Sequence, residues 1–146
     1  MSKFGFNQIA TEIRRKEPVI LREIANMARN HYLNAFQKSS WEGKSWRQVQ
    51  RRISGTAAYK YPKNKGLSRR TKPILVNKGT LRRAVNSSVK GISGGKIYFR
   101  VDLPYAKRHN EGLKGMPKRQ FMGWSQQQSK EARKIIERNI NRSFNK

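Results

Sequence analysis

Between Trp41 and Thr80 the chain shows no hydrophobic periodicity, and this gap decides where a core can form. The stretch carries Arg47, Arg51, Arg52, Lys60, Lys63, Lys65, Arg69, Arg70 and Lys72, and no carboxylate follows Glu42 within it. Gly55, Pro62, Gly66 and Pro73 interrupt any regular element there. The expected form is a long, mobile basic loop with one short helix around Trp46 to Ile53. Loops of such length in compact domains are functional, or disordered until bound.

The apolar faces lie on either side of the gap. Upstream, Ile9 and Ile13 begin a stripe at helical spacing that Ile20, Ile24, Met27 and His31 continue. Leu21, Ala25, Ala28, Tyr32 and Phe36 form the adjacent stripe, so one long helix with a broad buried face is expected. Pro18 predicts a kink or a fresh start, and Ser39, Ser40 and Gly43 end the helix. Downstream, Leu81 to Val85 reads as the start of a β unit. Ser93-Gly94-Gly95 is a hairpin signal, and Lys96 to Asp102 alternates with Ile97, Phe99 and Val101 on one face. Tyr105 to Glu111 would form one helical turn, and Arg119 to Met122 a third strand. Ser125 and Gln128 spell a capping box before a last helix with Ala132, Ile135, Ile136 and Ile140 as its apolar stripe. The fold expected is α+β: a long N-terminal helix, a small antiparallel sheet with a hairpin, and a C-terminal helix packed on the sheet. Its 146 residues suit a single domain, 1–146.

Charge limits the partners. With 34 Lys and Arg against 8 Asp and Glu, the formal net charge is +26, so an isolated monomer repels itself and favours anionic surfaces. Trp41, Trp46, Tyr59 and Tyr61 are interleaved with the loop's basic residues, as stacking platforms beside phosphate contacts would be. The absence of cysteine removes disulfides and thiolate metal sites. The first six residues lack the apolar run of a secretory signal, and no stretch approaches the roughly 20 apolar residues of a membrane span. A soluble protein made in the cytoplasm, with no membrane partner, is expected.

Catalytic readings are poorly supplied. His109-Asn110-Glu111 invites a nuclease reading, yet two-metal phosphodiester chemistry needs clustered carboxylates and the acidic residues here are scattered. His31, the other imidazole, falls on an apolar helix face. Ser87, Ser88 and Ser125 have no nucleophile elbow or partnered base, and Gly91 to Gly95 lacks the phosphate-loop pattern. No enzyme activity, cofactor or metal is expected.

The order of short motifs resembles the phage tail-completion and head–tail joining proteins, including the virion morphogenesis proteins of Mu- and P2-like phages and tail components of long-tailed phages. A Gly-Lys-x-Trp element is spelled Gly43-Lys44-Ser45-Trp46. Lys78-Gly79-Thr80-Leu81 matches a Thr-Gly-x-Leu box, with Lys78 in place of the family's Thr. Tyr105-Ala106-Lys107-Arg108-His109-Asn110-Glu111-Gly112 matches Tyr-Ala-x-x-His-x-x-Gly. Pro117-Lys118-Arg119-Gln120-Phe121-Met122-Gly123 matches Pro-x-Arg-x-Phe-x-Gly. With a helix before the first box and an amphipathic helix after the last, the resemblance covers about residues 9 to 142.

The resemblance implies a non-catalytic structural protein forming a ring, usually sixfold, at the top of the tail in the virion neck. Its partners would be further copies of itself, head connector or adaptor proteins, and tail-tube or terminator proteins. Trp46, Gly79, Leu81, Tyr105, His109, Gly112, Pro117, Arg119, Phe121 and Gly123 would serve assembly and fold. The loop cations, Arg47 to Lys72, would meet packaged DNA if they face the lumen, or neighbouring proteins if they face outward. A general nucleic-acid-binding protein is the alternative, since composition alone supports it equally.

Overall fold

A computed structural model of the chain describes residues 5–61 and 68–145. Lys63 and Lys65, with Pro62 and Gly66, lie outside the described residues, as does the side chain of Arg69. The architecture is mixed α+β. Helix α1 runs over Phe6–Lys38 and includes Pro18. It stops where Ser39 turns to positive φ, and a tight hairpin of β1 (Ser40–Trp41) and β2 (Lys44–Ser45) follows. The basic stretch then holds a 3-10 turn at Gln50–Arg52 and two one-turn helices, α2 (Ala57–Lys60) and α3 (Ser68–Thr71). Helix α4 (Thr80–Asn86), strands β3 (Val89–Ser93) and β4 (Lys96–Phe99), helix α5 (Ala106–Glu111) and helix α6 (Gln126–Phe144) complete the order.

The chain divides into two compact units, neither of them a continuous stretch. The first comprises residues 1–31, 88–100 and 124–146. Here Ile20 and Ile24 of α1 pack with Ala132 and Ile135 of α6, and Met27 and Ile97 close over them. These residues recur at three- and four-residue spacings on both helices, so each presents one apolar stripe. The α6 capping box forms as the sequence predicts: Ser125 Oγ accepts from Gln128 N, and Gln128 Oε1 accepts from Ser125 N. Gly94 and Gly95, at φ 55° and 71°, make the two-residue turn that joins β3 to β4. Both turn positions need positive φ, which glycine adopts without penalty. Ile97 and Phe99 alternate with the exposed Lys96 and Tyr98, as the sequence predicts.

The second unit comprises residues 32–87 and 101–123. Its centre is aromatic: Phe36 from the end of α1 lies 5.2 Å from Phe121 and 5.8 Å from Trp46, ring centroid to centroid. Tyr32 and Trp41 stand 6.2 Å apart, and Ile74, Leu81 and Val85 are buried in the same unit.

Three local expectations change. Residues 80–86 form a helix, not the lead-in to a strand; Leu81 and Val85 are buried four residues apart, a spacing that fits one helical face. Arg119 to Met122 is no third strand, because its backbone is paired by a side chain instead. The described part of the 41–80 stretch has its short helix within Trp46 to Ile53, as the 3-10 turn at Gln50–Arg52, and adds a hairpin and two one-turn helices where only loop is expected.

Candidate interaction surface and motif core

All ten motif residues fall within the second unit, and they interlock. Trp46 is buried and its indole N–H donates to the Gln120 carbonyl at 2.9 Å. That bond ties the Gly-Lys-x-Trp element to the Pro-x-Arg-x-Phe-x-Gly box across 74 residues of chain. Phe121, 1% exposed, fills the space between Phe36 and the box backbone. Arg119 is buried, and its Nε and Nη2 both donate to the Arg47 carbonyl, at 3.2 and 3.1 Å. Burial first, and Arg47 second, hold the Arg119 guanidinium below its ordinary pKa.

The two later boxes are joined by Asn110, which sequence reading does not single out. Asn110 Oδ1 accepts from the backbone N–H of Phe121 and of Met122, each at 2.9 Å, and Nδ2 donates to the Met122 carbonyl. The amide therefore acts as a one-residue strand, supplying the partners that the expected sheet would have given. Arg119 N donates to the His109 carbonyl at 2.8 Å, adding a backbone bond beside it. The only sequence signal is an Asn at a variable position directly after the motif His.

Gly112 ends α5 at φ 72°, and a Cβ there would lie 2.8–3.0 Å from the Lys118 backbone and Cβ. Glycine is required twice over, by conformation and by close approach. Gly123 lies against the Trp41 ring, and Pro117 is half-buried in the segment leading to Arg119. Gly79 stands before the first turn of α4, Leu81 is buried in that turn, and Arg83 Nη1 donates to the Lys78 carbonyl.

His109 sits 6.3 Å from the Tyr105 ring, edge to face, with its Nδ1 buried and unpartnered. Burial, and then the Arg119 guanidinium, push the imidazole below its ordinary pKa. A neighbouring guanidinium also repels a metal cation. Among the described residues, no group of three His, Asp or Glu converges as metal ligands.

The cations of the basic stretch divide into two sets. Arg52 Nε donates to the Arg70 carbonyl at 2.7 Å, and its Nη2 donates to the carbonyls of Thr71 and Lys72. Arg51 Nη2 donates to the carbonyls of Lys72 and Pro73. Arg70 Nη2 donates to the Tyr59 carbonyl, while its guanidinium carbon lies 3.9 Å from the Tyr59 ring centroid. These three arginines hold the segment together from within. Arg47, Lys60 and Lys72 are exposed, as is Tyr61 at 79%.

No protein-family model, curated protein or solved structure matches this chain. Among the described residues, no helix is long and apolar enough to cross a membrane.

Proposed function

We propose that the chain is a non-enzymatic structural protein of a tailed-phage virion, one that completes the tail and joins it to the head connector as a neck ring. The observation that carries this reading is the use to which the motif residues are put. Trp46, Leu81 and Phe121 pack, Arg119 and Asn110 satisfy backbone groups, and Gly112 permits a close approach. Such a use of the motif residues preserves a shape. Sixfold closure through copies of itself, with connector or adaptor proteins on one side and tube or terminator proteins on the other, follows from the motif resemblance. The exposed cations would face packaged DNA or those neighbouring proteins. No cofactor enters the reading.

Deleting the gene from its phage tests it. The expected outcome is DNA-filled heads and separate tails that fail to join, with joining restored by adding the purified protein. Infectious, fully joined particles without the chain would sink the proposal.

A general nucleic-acid-binding role is the second reading, favoured by the exposure of Lys60, Lys72 and Tyr61 on a protein of charge +26. It predicts tight, steeply salt-dependent binding together with absence of the chain from purified particles.

A further inference from the structure

The described residues between Gln50 and Pro73, 50–61 and 68–73, have an unusual construction. Neither their 3-10 turn nor α2 buries a residue of its own. Among these described residues, guanidinium forks bind main-chain carbonyls. Arg52 spans the carbonyls of Arg70, Thr71 and Lys72, which are the orphan acceptors at the C-terminal end of α3. Arg51 extends the same grip to Pro73, and Arg70 returns it to Tyr59. Lys60 adjoins Tyr59, and Lys72 carries one of the bound carbonyls, so both lysines are fixed to one arginine-braced lobe.

We infer that this lobe is a binding surface for the phosphate backbone of nucleic acid, with Lys60 and Lys72 as the contacts and Arg51, Arg52 and Arg70 as its internal frame. No carboxylate occurs from Gly43 to Val101, so nothing in the sequence around the lobe neutralises it. Tyr61, next to Lys60, offers an aromatic face to solvent. Protein interfaces have an apolar centre depleted of charge, whereas nucleic-acid interfaces are polar and strongly positive; the lobe has the second character. Recognition would be independent of base sequence, because lysine contacts to phosphate carry no base information. The inference does not depend on the ring: the lobe would bind nucleic acid in a monomer as well.

The test is fluorescence anisotropy of the full chain with a labelled mixed-sequence duplex across a salt series, with polyglutamate as competitor. The K60Q/K72Q double variant should keep the wild-type melting curve and make the log–log salt slope shallower by about two, roughly one for each phosphate no longer neutralised. R52K keeps the charge but cannot bridge three carbonyls, and it should weaken binding roughly tenfold or more by loosening the frame. An unchanged slope in K60Q/K72Q would overturn the assignment of contacts. Polyglutamate competing as well as duplex at equal charge would overturn the nucleic-acid assignment in favour of an acidic protein partner. Wild-type affinity in R52K would overturn the division into frame and contact residues.

Discussion

Asn110 and His109 are neighbours in sequence with opposite duties. The Asn110 amide satisfies two backbone donors and one acceptor of a segment that has no strand beside it. Removing it in N110A leaves both N–H groups short of a partner, at about 1–3 kcal/mol for each buried group. N110D keeps the oxygen that accepts from both N–H groups but turns an acceptor toward the Met122 carbonyl, so its loss of denaturation midpoint should be smaller than that of N110A but not absent. His109 is held neutral by burial and by Arg119. Its pKa is lower in the folded chain than the ordinary 6.5, so the unfolded chain binds more protons on acidification. The stability it supports is present above pH 6.5 and declines as pH falls from there toward the folded-state value. Denaturation midpoints at about pH 7.5 and about pH 5.5 should therefore differ more in the wild type than in H109N. Equal differences would remove His109 from that account.

Among elements, the Phe36–Trp46–Phe121 cluster and the α5 terminus matter most. F121A should cost about 3–5 kcal/mol through lost burial and a residual cavity. W46F retains much of the ring packing and loses the bond to Gln120, a change of about 1 kcal/mol. G112A should destabilise more than an ordinary helix-end substitution, since the added Cβ meets Lys118 backbone atoms that belong to the next motif box. What the sequence reveals at this scale follows from range. The α6 capping box, the Gly94-Gly95 turn and the β4 alternation are encoded within a few residues, and each is readable. Helix α4 is not, because its seven residues show only two buried apolar positions, too few to separate a period of two from one of 3.6. The extended Arg119 to Met122 segment reads as a strand on local pattern, while its true partner is a side-chain amide that no periodicity announces. Arg51, Arg52 and Arg70 look like surface charge in the sequence for the same reason: their carbonyl partners lie 11 to 22 positions away.

Over the whole molecule, charge is distributed unevenly. Glu42, Asp102 and Glu111 are the only carboxylate side chains in the sequence of the second unit, which also carries the motif core and the basic lobe. A chain of +26 gains stability when its self-repulsion is screened, so its thermal midpoint should rise between about 0.05 and about 0.5 M monovalent salt. Assembly against anionic neighbours would relieve the same repulsion. We propose this unit as a building block of a neck ring. If a phage carries this gene, a cryo-EM reconstruction of its neck is the direct test. The expected density is a closed symmetric ring of this chain between connector and tail tube, with the Phe36–Trp46–Phe121 cluster inside each subunit. Intact, joined particles whose neck contains no density for this chain would contradict it.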